Sequence, residues 1–300
     1  MQDGPNVSIV TPALNAARFI EETIQSVLAQ DYPSLEYIIM DGGSTDGTAE
    51  IVRRYAGRLR YVSAPDQGAA DAVNRGFRLS RGSILAWINA DDVYLPGAVR
   101  RAVNCLNEHP EAAAVYGDAR WVDASGQPLG SYPTFDFDSE LLSQECFICQ
   151  PACFFRRPAL DAAGALDTRL QFAFDYDLWI RMAREHRLLH LPAELAVSRM
   201  YPHNKTLGQR SRSLRESMAV LQRHYSFVPF GWVYSYCYHL WSGRDLFFEP
   251  LQPSIAAYAM SLPVGLYFNR SRAIRRYLGE WTGALREGLK RRLRRLAPRR

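Results

Sequence analysis

The sequence predicts an α/β fold in which a mostly parallel sheet is flanked by helices, and two observations support this prediction. Short β-favouring runs alternate with amphipathic helical segments through residues 7–88, which is the pattern of βαβ units. The last of these runs, residues 84–88, is apolar and is closely followed by two carboxylates, Asp91 and Asp92. Open α/β sheets bind their ligands at the carboxyl ends of the strands. We therefore expect a ligand site just beyond residue 88.

Each predicted element has its own signal in the chain. Clusters of β-favouring residues between turns predict strands at 7–12, 35–40, 59–62, 84–88 and 112–116. Apolar residues at helical spacing predict helices at 19–28, 51–55, 69–80 and 96–107. Asn15 has a side chain suited to a helix N-cap, and we expect it to cap the first of these helices.

Composition indicates a folded chain of one large domain or two. The chain has 300 residues, of which 47% are hydrophobic, and this is enough for a sizeable core. The formal net charge is +5, but residues 270–300 hold twelve basic and two acidic residues, so residues 1–269 carry a net charge of −5. Nucleic-acid binders usually place their positive charge on a folded face. The charge distribution therefore argues against nucleic acid as a partner.

The cysteines and the amino terminus bear on the cellular compartment. The five cysteines are odd in number, and the first residues lack the basic segment and apolar run of a secretory signal. We expect a cytoplasmic protein with reduced thiols. Cys146, Cys149 and Cys153 form a cluster, but no fourth ligand with a metal-binding spacing accompanies them. We therefore expect no metal at these cysteines.

The acids that follow residue 88 suit a divalent cation. Oxygen side chains this close together repel one another unless a cation is present, and Mg²⁺ or Mn²⁺ is held by one or two carboxylates together with substrate phosphates. Asn89 can add a neutral oxygen. The alternative is that Asp91 and Asp92 only stabilise a turn, since Asp-Asp after a strand is common turn chemistry.

A second polar turn, residues 41–48, follows the second predicted strand. Its glycines let the backbone approach a ligand, and its Asp, Ser and Thr side chains supply hydrogen-bond partners. The turn lacks the Lys of a phosphate-binding P-loop. Alternatively, the segment is a Gly-rich loop in which Thr45 or Asp46 caps the next helix, and the two roles are compatible.

Several motifs in the right order carry a resemblance to glycosyltransferase family 2, which has the GT-A fold. The resemblance covers residues 6–206. The motifs that carry it are Val7-Ser8-Ile9-Val10-Thr11-Pro12 with Asn15, the stretch from Glu36 to Thr48, Asp66-Gln67-Gly68 with Asp71, Asn74 and Gly76, Asn89-Ala90-Asp91-Asp92, and Phe174-Asp175-Tyr176-Asp177-Leu178-Trp179.

The resemblance implies a nucleotide-sugar site with a catalytic base, which is Asp175. It implies nucleotide contacts by Thr11, Pro12, Asn15, Asp41, Gly43, Ser44, Asp66, Gly68, Asp71 and Asn74. It implies Mn²⁺ or Mg²⁺ as cofactor, with Asp91, Asp92 and His203 as ligands. It implies contacts to the donor diphosphate, the donor sugar or the acceptor by Asn89, Ala90, Asp118, Gln150, Arg199 and Lys205.

The sequence departs from the family pattern at two positions. Asn89 stands where the family's Asp-X-Asp element begins, so that cation binding would depend on the acids after it. Phe174 stands where the family has a Glu before the catalytic Asp, and Asp175 keeps the carboxylate. Structural alternatives remain open: Asp175 would stabilise a helix amino terminus, Gln150 would be a buried structural amide, and His203 would be an ordinary turn residue.

Residues 208–300 differ in composition from the chain before them. Residues 227–241 are rich in aromatics, and residues 255–268 are apolar but contain Pro263, so neither is a clean span of about 20 apolar residues. Trp and Tyr favour the membrane interface, and anionic lipid would attract the basic amphipathic end. Its cations are Lys290, Arg291, Arg292, Arg294 and Arg295. The alternative is a helical extension with a solvated basic tail.

The expected organisation is a GT-A glycosyltransferase domain at residues 1–207 and a helical, aromatic and basic region at residues 208–300 that associates with the membrane. The domain would comprise a nucleotide-binding half, 1–95, and an acceptor half, 96–207. The expected function is inverting, metal-dependent transfer from a UDP-linked sugar to a saccharide or lipid-linked saccharide in surface polysaccharide biosynthesis. The enzyme would lie on the inner face of the cell membrane.

Two alternative functions make different demands on the sequence. A catalytically inactive, membrane-docked protein that binds a nucleotide sugar or a partner protein is the main alternative, and the two departures from the family pattern favour it. A nucleotidyltransferase would need a Gly-rich loop with Arg and Lys near the first strand, and the chain lacks this loop.

Overall fold

The structure is a computed structural model that describes residues 6–244, 253–270 and 273–296, with side chains described up to residue 286. The chain divides into two compact units, Met1–Pro202 and His203–Arg300.

The first unit is built on one mixed sheet. Its strands are β1 (Val7–Ala13), β2 (Leu35–Asp41), β3 (Arg60–Ser63), β4 (Ile84–Trp87), β5 (Val93–Tyr94), β6 (Ala112–Val122), β7 (Pro128–Ser131), β8 (Cys153–Arg156) and β9 (Arg187–Arg199). They lie in the order β3-β2-β1-β4-β8-β6-β9-β5, with β7 paired to β6. The helices are α1 (Ile20–Leu28), α2 (Thr48–Arg53), α3 (Ala69–Leu79), α4 (Ala98–Glu108), α5 (Ser139–Leu142), α6 (Arg157–Ala163) and α7 (Phe174–Glu185).

The first four strands of the order are parallel, as the sequence predicts. Every residue of β1 is buried, as expected of a strand covered on both faces. A Cβ on Gly76 of α3 would lie 2.5 Å from a methyl carbon of Val10. Glycine at this position therefore lets α3 pack closely against β1, the strand whose carboxyl end lies at the candidate site.

The rest of the sheet is mixed. Strand β8 runs antiparallel to both β4 and β6, whereas β9 runs parallel to β6. The predicted mixed α/β fold with helices on its faces is confirmed, and its parallel character is concentrated in β1 to β4.

One predicted cap is wrong. Helix α1 begins at Ile20 with Phe19 at its N-cap, and no side chain caps it. Asn15 instead adopts a left-handed backbone with φ of 50°, which Asn tolerates better than most residues. It lies in the loop between β1 and α1, where its side chain has other partners.

The second unit is helical. Its helices are α8 (Lys205–Gly208), α9 (Arg210–Tyr225), α10 (Phe230–Ser242), α11 (Ile255–Phe268) and α12 (Ala273–Leu296). Gly265 makes room for Tyr277, since a Cβ there would lie 1.9 Å from the tyrosine ring. The buried amide of Asn269 exchanges two hydrogen bonds with the backbone of Val228, at 2.7 and 2.9 Å. Within the described residues, no helix combines the length and apolarity needed to span a bilayer.

Candidate active site

Three connections meet at one edge of the sheet. In the registers of the parallel strands, Ala13 lies opposite Asp41, and Val10 lies opposite Trp87. The loops after β1 and β2 and the acids after β4 therefore leave the sheet on the same side, at the carboxyl ends of the strands, where open α/β sheets bind ligands.

The loops after β1 and β2 are joined by hydrogen bonds. The Asn15 Oδ1 accepts the Thr45 N–H at 2.9 Å, and the Asn15 N–H donates to the Ser44 Oγ at 2.8 Å. The Ala16 N–H donates to the Thr48 Oγ1 at 2.8 Å. Thr11 and Pro12, at the end of β1, are buried beneath this loop pair. Because each loop satisfies polar groups of the other, the pair has one defined shape.

Asp41 lies at the centre of this arrangement. Its Oδ1 accepts the Ser44 Oγ–H at 2.5 Å, and its Oδ2 accepts the hydroxyls of Tyr61 and Ser63, each at 2.8 Å. Burial alone would raise the pKa of Asp41, but these hydrogen bonds outweigh it and the pKa is lowered. Asp41 is therefore a buried anion. Tyr61 and Ser63 were not predicted, although their position at the end of β3 is the signal that could have identified them.

Asp66, in the connection between β3 and α3, lies beside the loop after β2. Its Oδ1 accepts the Gly68 N–H at 2.8 Å, and a Cβ on Gly42 would lie 2.7 Å from its other oxygen. Gly43 and Gly68 have φ values of 94° and 119°, where a side chain would be strained. Asp71 accepts the backbone N–H of Gln67 at 3.2 Å. Asp66 and Asp71 thus hold the backbone of Gln67 and Gly68 in place beside the loop pair.

Asn74 is engaged elsewhere in the fold. Its buried amide donates to the Leu166 carbonyl at 2.8 Å and accepts the Leu166 N–H at 2.9 Å. These bonds fix the segment that leads into α7, and the nucleotide contact predicted for Asn74 stays a prediction.

The acids after β4 have different environments. Asp92 is buried, and its oxygens accept the Arg199 N–H at 2.9 Å and the Asn89 side-chain amide at 3.1 Å. Asp91 is only partly buried, and one of its oxygens accepts the Tyr201 hydroxyl at 3.0 Å. Burial raises the pKa of both acids, and the neighbouring Asp91 charge helps to raise the pKa of Asp92 to about 8. Asp91 is the acid more open to a ligand, while Asp92 holds backbone in place.

Arg199 is a buried cation that packs behind the acids. Its guanidinium donates to the Asp91 carbonyl at 3.2 Å and pairs with Glu22 at 2.5 Å. It also lies over the ring of Phe19, 4.6 Å from the ring centroid. Ala90, between Asn89 and Asp91, is buried. Arg199 thus holds the segment that carries Asp91, and its predicted contact with the donor or the acceptor stays a prediction.

Asp175 lies in the first turn of α7 and is partly buried, and its Oδ1 accepts the Tyr176 N–H at 2.7 Å. The Phe174 and Trp179 rings of α7 pack on Trp87 at the end of β4, with centroids 6.2 and 5.5 Å from that of the Trp87 ring. The start of α7 and the acids after β4 therefore share one region of the first unit. Cys146, Cys149 and Cys153 are free thiols, and burial raises the pKa of each.

Asp118 and Gln150 extend the site from β6 and from the turn before β8. Asp118 is bound to His190, which sequence analysis did not identify, with 2.9 Å between its Oδ1 and the histidine Nε2. Gln150 is buried and donates to the Trp87 carbonyl at 2.6 Å, while its Oε1 lacks a hydrogen-bond partner among the described residues. A buried acceptor without a donor is costly, so Gln150 has bonding capacity for a ligand or water.

Two predicted residues lie in the second unit. His203 is its first residue, and Lys205 begins α8, whose N-cap is the side chain of Asn204. Their contacts with a metal or a diphosphate stay predictions.

Comparison with known proteins identifies the family of this chain. Residues 8–164 match the model of the family described as glycosyl transferase family 2. The chain belongs to glycosyltransferase family 2. A PGL/p-HBAD biosynthesis glycosyltransferase of Mycobacterium bovis is 33% identical over 182 residues, which cover 59% of this chain and 69% of that protein. An uncharacterized glycosyltransferase of Rickettsia prowazekii is 28% identical over 215 residues, which cover 67% of this chain and 66% of that protein. The chain thus spans just under two thirds of this rickettsial relative and less of other rickettsial relatives, for example 32% of that of Rickettsia felis.

Solved structures share the fold of this family 2 glycosyltransferase. Staphylococcus aureus TarS 1–349 in complex with UDP-GlcNAc aligns with a TM-score of 0.62 and 15% identity, over 89% of this chain and 82% of TarS 1–349. The Pyrobaculum calidifontis mannosyltransferase PcManGT, in complex with GDP-Man and Mn²⁺, aligns with a TM-score of 0.58 and 20% identity, over 95% and 81% of the two chains. At these identities, the likeness establishes the shared fold.

A buried ion pair within α7 holds the backbone that precedes this helix, and we expect it to stabilise the glycosyltransferase against unfolding. Asp177 and Arg181 are 2.8 Å apart, and Arg181 also donates to the carbonyls of Gly164 and Ala165. Asp177→Ala is expected to lower the free energy of unfolding by about 3 kcal/mol or more, because a buried charge loses its partner. The measurement is chemical denaturation. Asp31→Ala is the control, since its ion pair with Arg100 has the same 2.8 Å distance but is exposed, and less than about 1 kcal/mol is expected. Equal losses would contradict the structural role of Asp177.

Proposed function

We propose that this glycosyltransferase moves a sugar from a UDP-linked donor to a hydroxyl of a saccharide or lipid-linked saccharide in surface polysaccharide biosynthesis, with inversion at the sugar carbon. The observation that carries the proposal is the arrangement of three carboxylates. Asp41 ends β2 and Asp91 follows β4, the two parallel strands on either side of β1, and the Phe174 and Trp179 rings of α7, the helix that carries Asp175, pack on Trp87 at the end of β4. Each has a separate task in the proposed reaction.

The loop pair and Asp41 are proposed to hold the nucleotide. Thr11, Pro12 and Asn15 belong to β1 and the loop after it, and Ser44 to the loop after β2, while Asp41 is an anion that accepts three hydroxyls and the Ser44 N–H. Uracil presents an N–H that would replace one of these donors on Asp41. The TarS structures with UDP and UDP-GlcNAc support a uridine nucleotide, and the PcManGT structure with GDP-Man makes guanosine the competing choice.

Asp175 is proposed as the general base. An acceptor hydroxyl is a poor nucleophile, and removing its proton during attack on the sugar carbon lowers the barrier. One attack with one base inverts the configuration at that carbon and releases UDP. The Phe174 side chain is buried, so it supports the packing of α7 rather than supplying the acid that the family has at this position.

The residues fit a divalent cation that the donor itself would help to hold. Within the described part of the chain, no three His, Cys, Asp or Glu side chains are grouped to bind a metal. Mg²⁺ and Mn²⁺ need fewer protein ligands when a diphosphate supplies the others, and the partly buried Asp91 carboxylate can serve as such a ligand. A bound cation would neutralise charge that develops on the leaving UDP. Tyr201 and Arg199 hold Asp91 by its side chain and its carbonyl, and so set its direction.

Calorimetric titration tests the proposed donor. UDP is expected to bind at least about tenfold more tightly in Mn²⁺ than in EDTA, a difference of about 1.4 kcal/mol, because Asp91 and the diphosphate share the ion. GDP under the same conditions is the control and is expected to bind more weakly than UDP. Tighter binding of GDP would reject the uridine assignment, and equal UDP affinity with and without Mn²⁺ would reject the metal assignment.

The second unit is proposed to dock on the inner face of the cell membrane. Helix α11 has no charged residue, and it exposes Ile255 at 83% and Tyr267 at 65%. Arg270 stacks on Tyr267, 5.3 Å from the ring centroid. An exposed apolar helix with aromatic and basic residues at its end suits the interface of a bilayer that contains anionic lipid. The basic cluster from Lys290 to Arg295 lies outside the described side chains.

Removal of the tail tests this membrane proposal. Deletion of residues 288–300 is expected to weaken sedimentation with anionic vesicles, because each basic residue near the surface contributes about 1 kcal/mol. Hydrolysis of the donor in solution is expected to persist, since the candidate site lies in the first unit. High salt should mimic the deletion. Equal sedimentation with neutral and anionic vesicles would assign docking to the aromatic and apolar segments, and no sedimentation with either would leave the tail as a solvated extension.

A further inference from the structure

His190 connects two carboxylates from separate parts of the first unit. Its Nε2 lies 2.9 Å from Oδ1 of Asp118 on β6, and its Nδ1 lies 2.9 Å from Oδ1 of Asp136, in the connection between β7 and β8. The ring stacks on Tyr116, with centroids 5.5 Å apart. The imidazole is 11% exposed, whereas the Asp136 side chain is 99% exposed. His190 is thus the buried centre of the group and Asp136 its outer end.

The two contacts determine which ring nitrogens of His190 must donate a hydrogen bond. An ionised carboxylate only accepts hydrogen bonds, so both contacts form together only when each ring nitrogen carries a proton. Hydrogen bonds of this charge-assisted kind are stronger than neutral ones. A side chain with a single donor at this position could hold one of the two carboxylates but not both.

Asp136 belongs to a segment that covers one side of the sheet, residues 132–149, which we call the strap. Its described regular structure is the single turn of helix α5. The Tyr116 hydroxyl donates to the Phe135 carbonyl at 2.8 Å, and the Tyr176 hydroxyl donates to the Leu142 carbonyl at 2.5 Å. Tyr176 follows the candidate base, Asp175. The strap is therefore attached to the elements that carry Asp118 and Asp175.

A bulge in the sheet lies next to His190 and Asp118. Along β6 the partner of Gly117 is Leu191, but the partner of Asp118 is Glu194. Gly117 permits this close approach, because a Cβ there would lie 2.4 Å from the Leu195 side chain. Bulges of this kind redirect side chains next to functional sites. His190 lies opposite Tyr116, and Asp118 is two residues further along β6 on the same face, so the His190 ring contacts both side chains.

We propose that His190 is a positioning residue that holds Asp118 with one nitrogen and the strap with the other, and that the strap forms the acceptor-side wall of the site. The contacts of His190 with Asp118 and Asp136, which we call the tether, are observed in the structure. Their effect on acceptor binding rests on the proposed transferase function. Without His190, the stretch around Phe135 and Asp136 loses its attachment and Asp118 loses its fixed direction. The nucleotide loops, which share no hydrogen bond with this group among the described contacts, are unaffected.

Hydrogen exchange tests the tether without any substrate. In His190→Gln the amides of residues 132–138 are expected to exchange about tenfold faster or more, the scale for loss of a hydrogen bond to a charged group. Asp136→Ala, which removes the acceptor of the His190 Nδ1–H, should give a similar increase, and the double variant should add little to either. His109→Gln is the matched control, since it removes another histidine–carboxylate pair, with Glu111 at 3.4 Å. Unchanged exchange in the strap, or an increase spread evenly over β1 to β4, would overturn the tether.

Steady-state kinetics test the consequence for the acceptor. His190→Gln is expected to raise the acceptor KM about tenfold, with UDP affinity and the melting temperature close to those of the wild type. A lower kcat with an unchanged acceptor KM would overturn the acceptor-side role. Faster strap exchange in a protein that transfers no sugar would instead count against the proposed function and leave the tether intact, so the two failures are distinguishable.

Discussion

Asp175→Asn is expected to lower the rate of sugar transfer by about 10² or more, the usual scale for a lost general base, while UDP binding stays within a few-fold. The amide keeps the size and the hydrogen bond to the Tyr176 N–H, but it cannot take a proton from the acceptor. Transfer is followed by release of UDP at saturating donor, and binding by calorimetry.

Two comparisons make this substitution decisive. Asp161→Asn, on the neighbouring helix α6, changes an exposed carboxylate and is expected to leave transfer unaltered. If Asp175→Asn reduced UDP binding as much as turnover, the side chain would be structural, as in the helix-capping interpretation of the sequence. A fall in turnover alone places the carboxylate at the acceptor hydroxyl.

Asp91→Asn is expected to abolish both transfer and the Mn²⁺-dependent part of UDP binding. The substitution removes the carboxylate charge proposed to meet the ion, while the Asn amide can still accept the Tyr201 hydroxyl. Calorimetry with UDP in Mn²⁺ and in EDTA measures the effect.

Metal-free binding provides the internal control for Asp91→Asn. UDP affinity in EDTA should match that of the wild type, because the nucleotide contacts proposed for Asp41 and the joined loops are untouched. Retention of wild-type activity would remove Asp91 from the metal site. Loss of affinity in EDTA as well would indicate damage to the fold, which a thermal unfolding curve would reveal.

The sequence predicted the parallel core and the position of the acids well, because both depend on local patterns. Apolar runs between turns located β1 to β4, and the change from Ile88 to Asp91 marked the end of a buried strand. The resemblance then placed Asp41, Asp91 and Asp175 in one site. These assignments need the order of elements and the rule that parallel strands end at the same edge, and both can be read from the chain.

Features that depend on distant partners could not be predicted in this way. The Tyr201 hydroxyl meets an acid 110 positions away, and His190 meets one 72 positions away. Strand β9 contains Pro192 near its bulge, and a proline argues against a strand when read locally. Asn15 looked like a helix cap because capping is local chemistry, whereas its partner Thr45 is brought to it by the sheet.

The roles of Asn74 and Arg199 illustrate the same limit. Both residue types are common at nucleotide and diphosphate sites, and their positions match the motifs. In the fold, the Asn74 amide is occupied by the Leu166 backbone, and the Arg199 guanidinium pairs with Glu22. A motif identifies which residues surround a site, but only the packing distinguishes those that face the ligand from those that hold it in shape.

The most direct test of sugar transfer is to supply a panel of nucleotide sugars with Mn²⁺ and saccharide acceptors and to measure the nucleotide released. Wild-type protein is expected to release UDP from at least one UDP-sugar, with acceptor-dependent formation of an inverted glycoside, and the rate should fall by about 10² in Asp175→Asn. Binding of UDP without release from any nucleotide sugar, with every acceptor, would contradict the proposed transfer and favour an inactive nucleotide-sugar-binding protein.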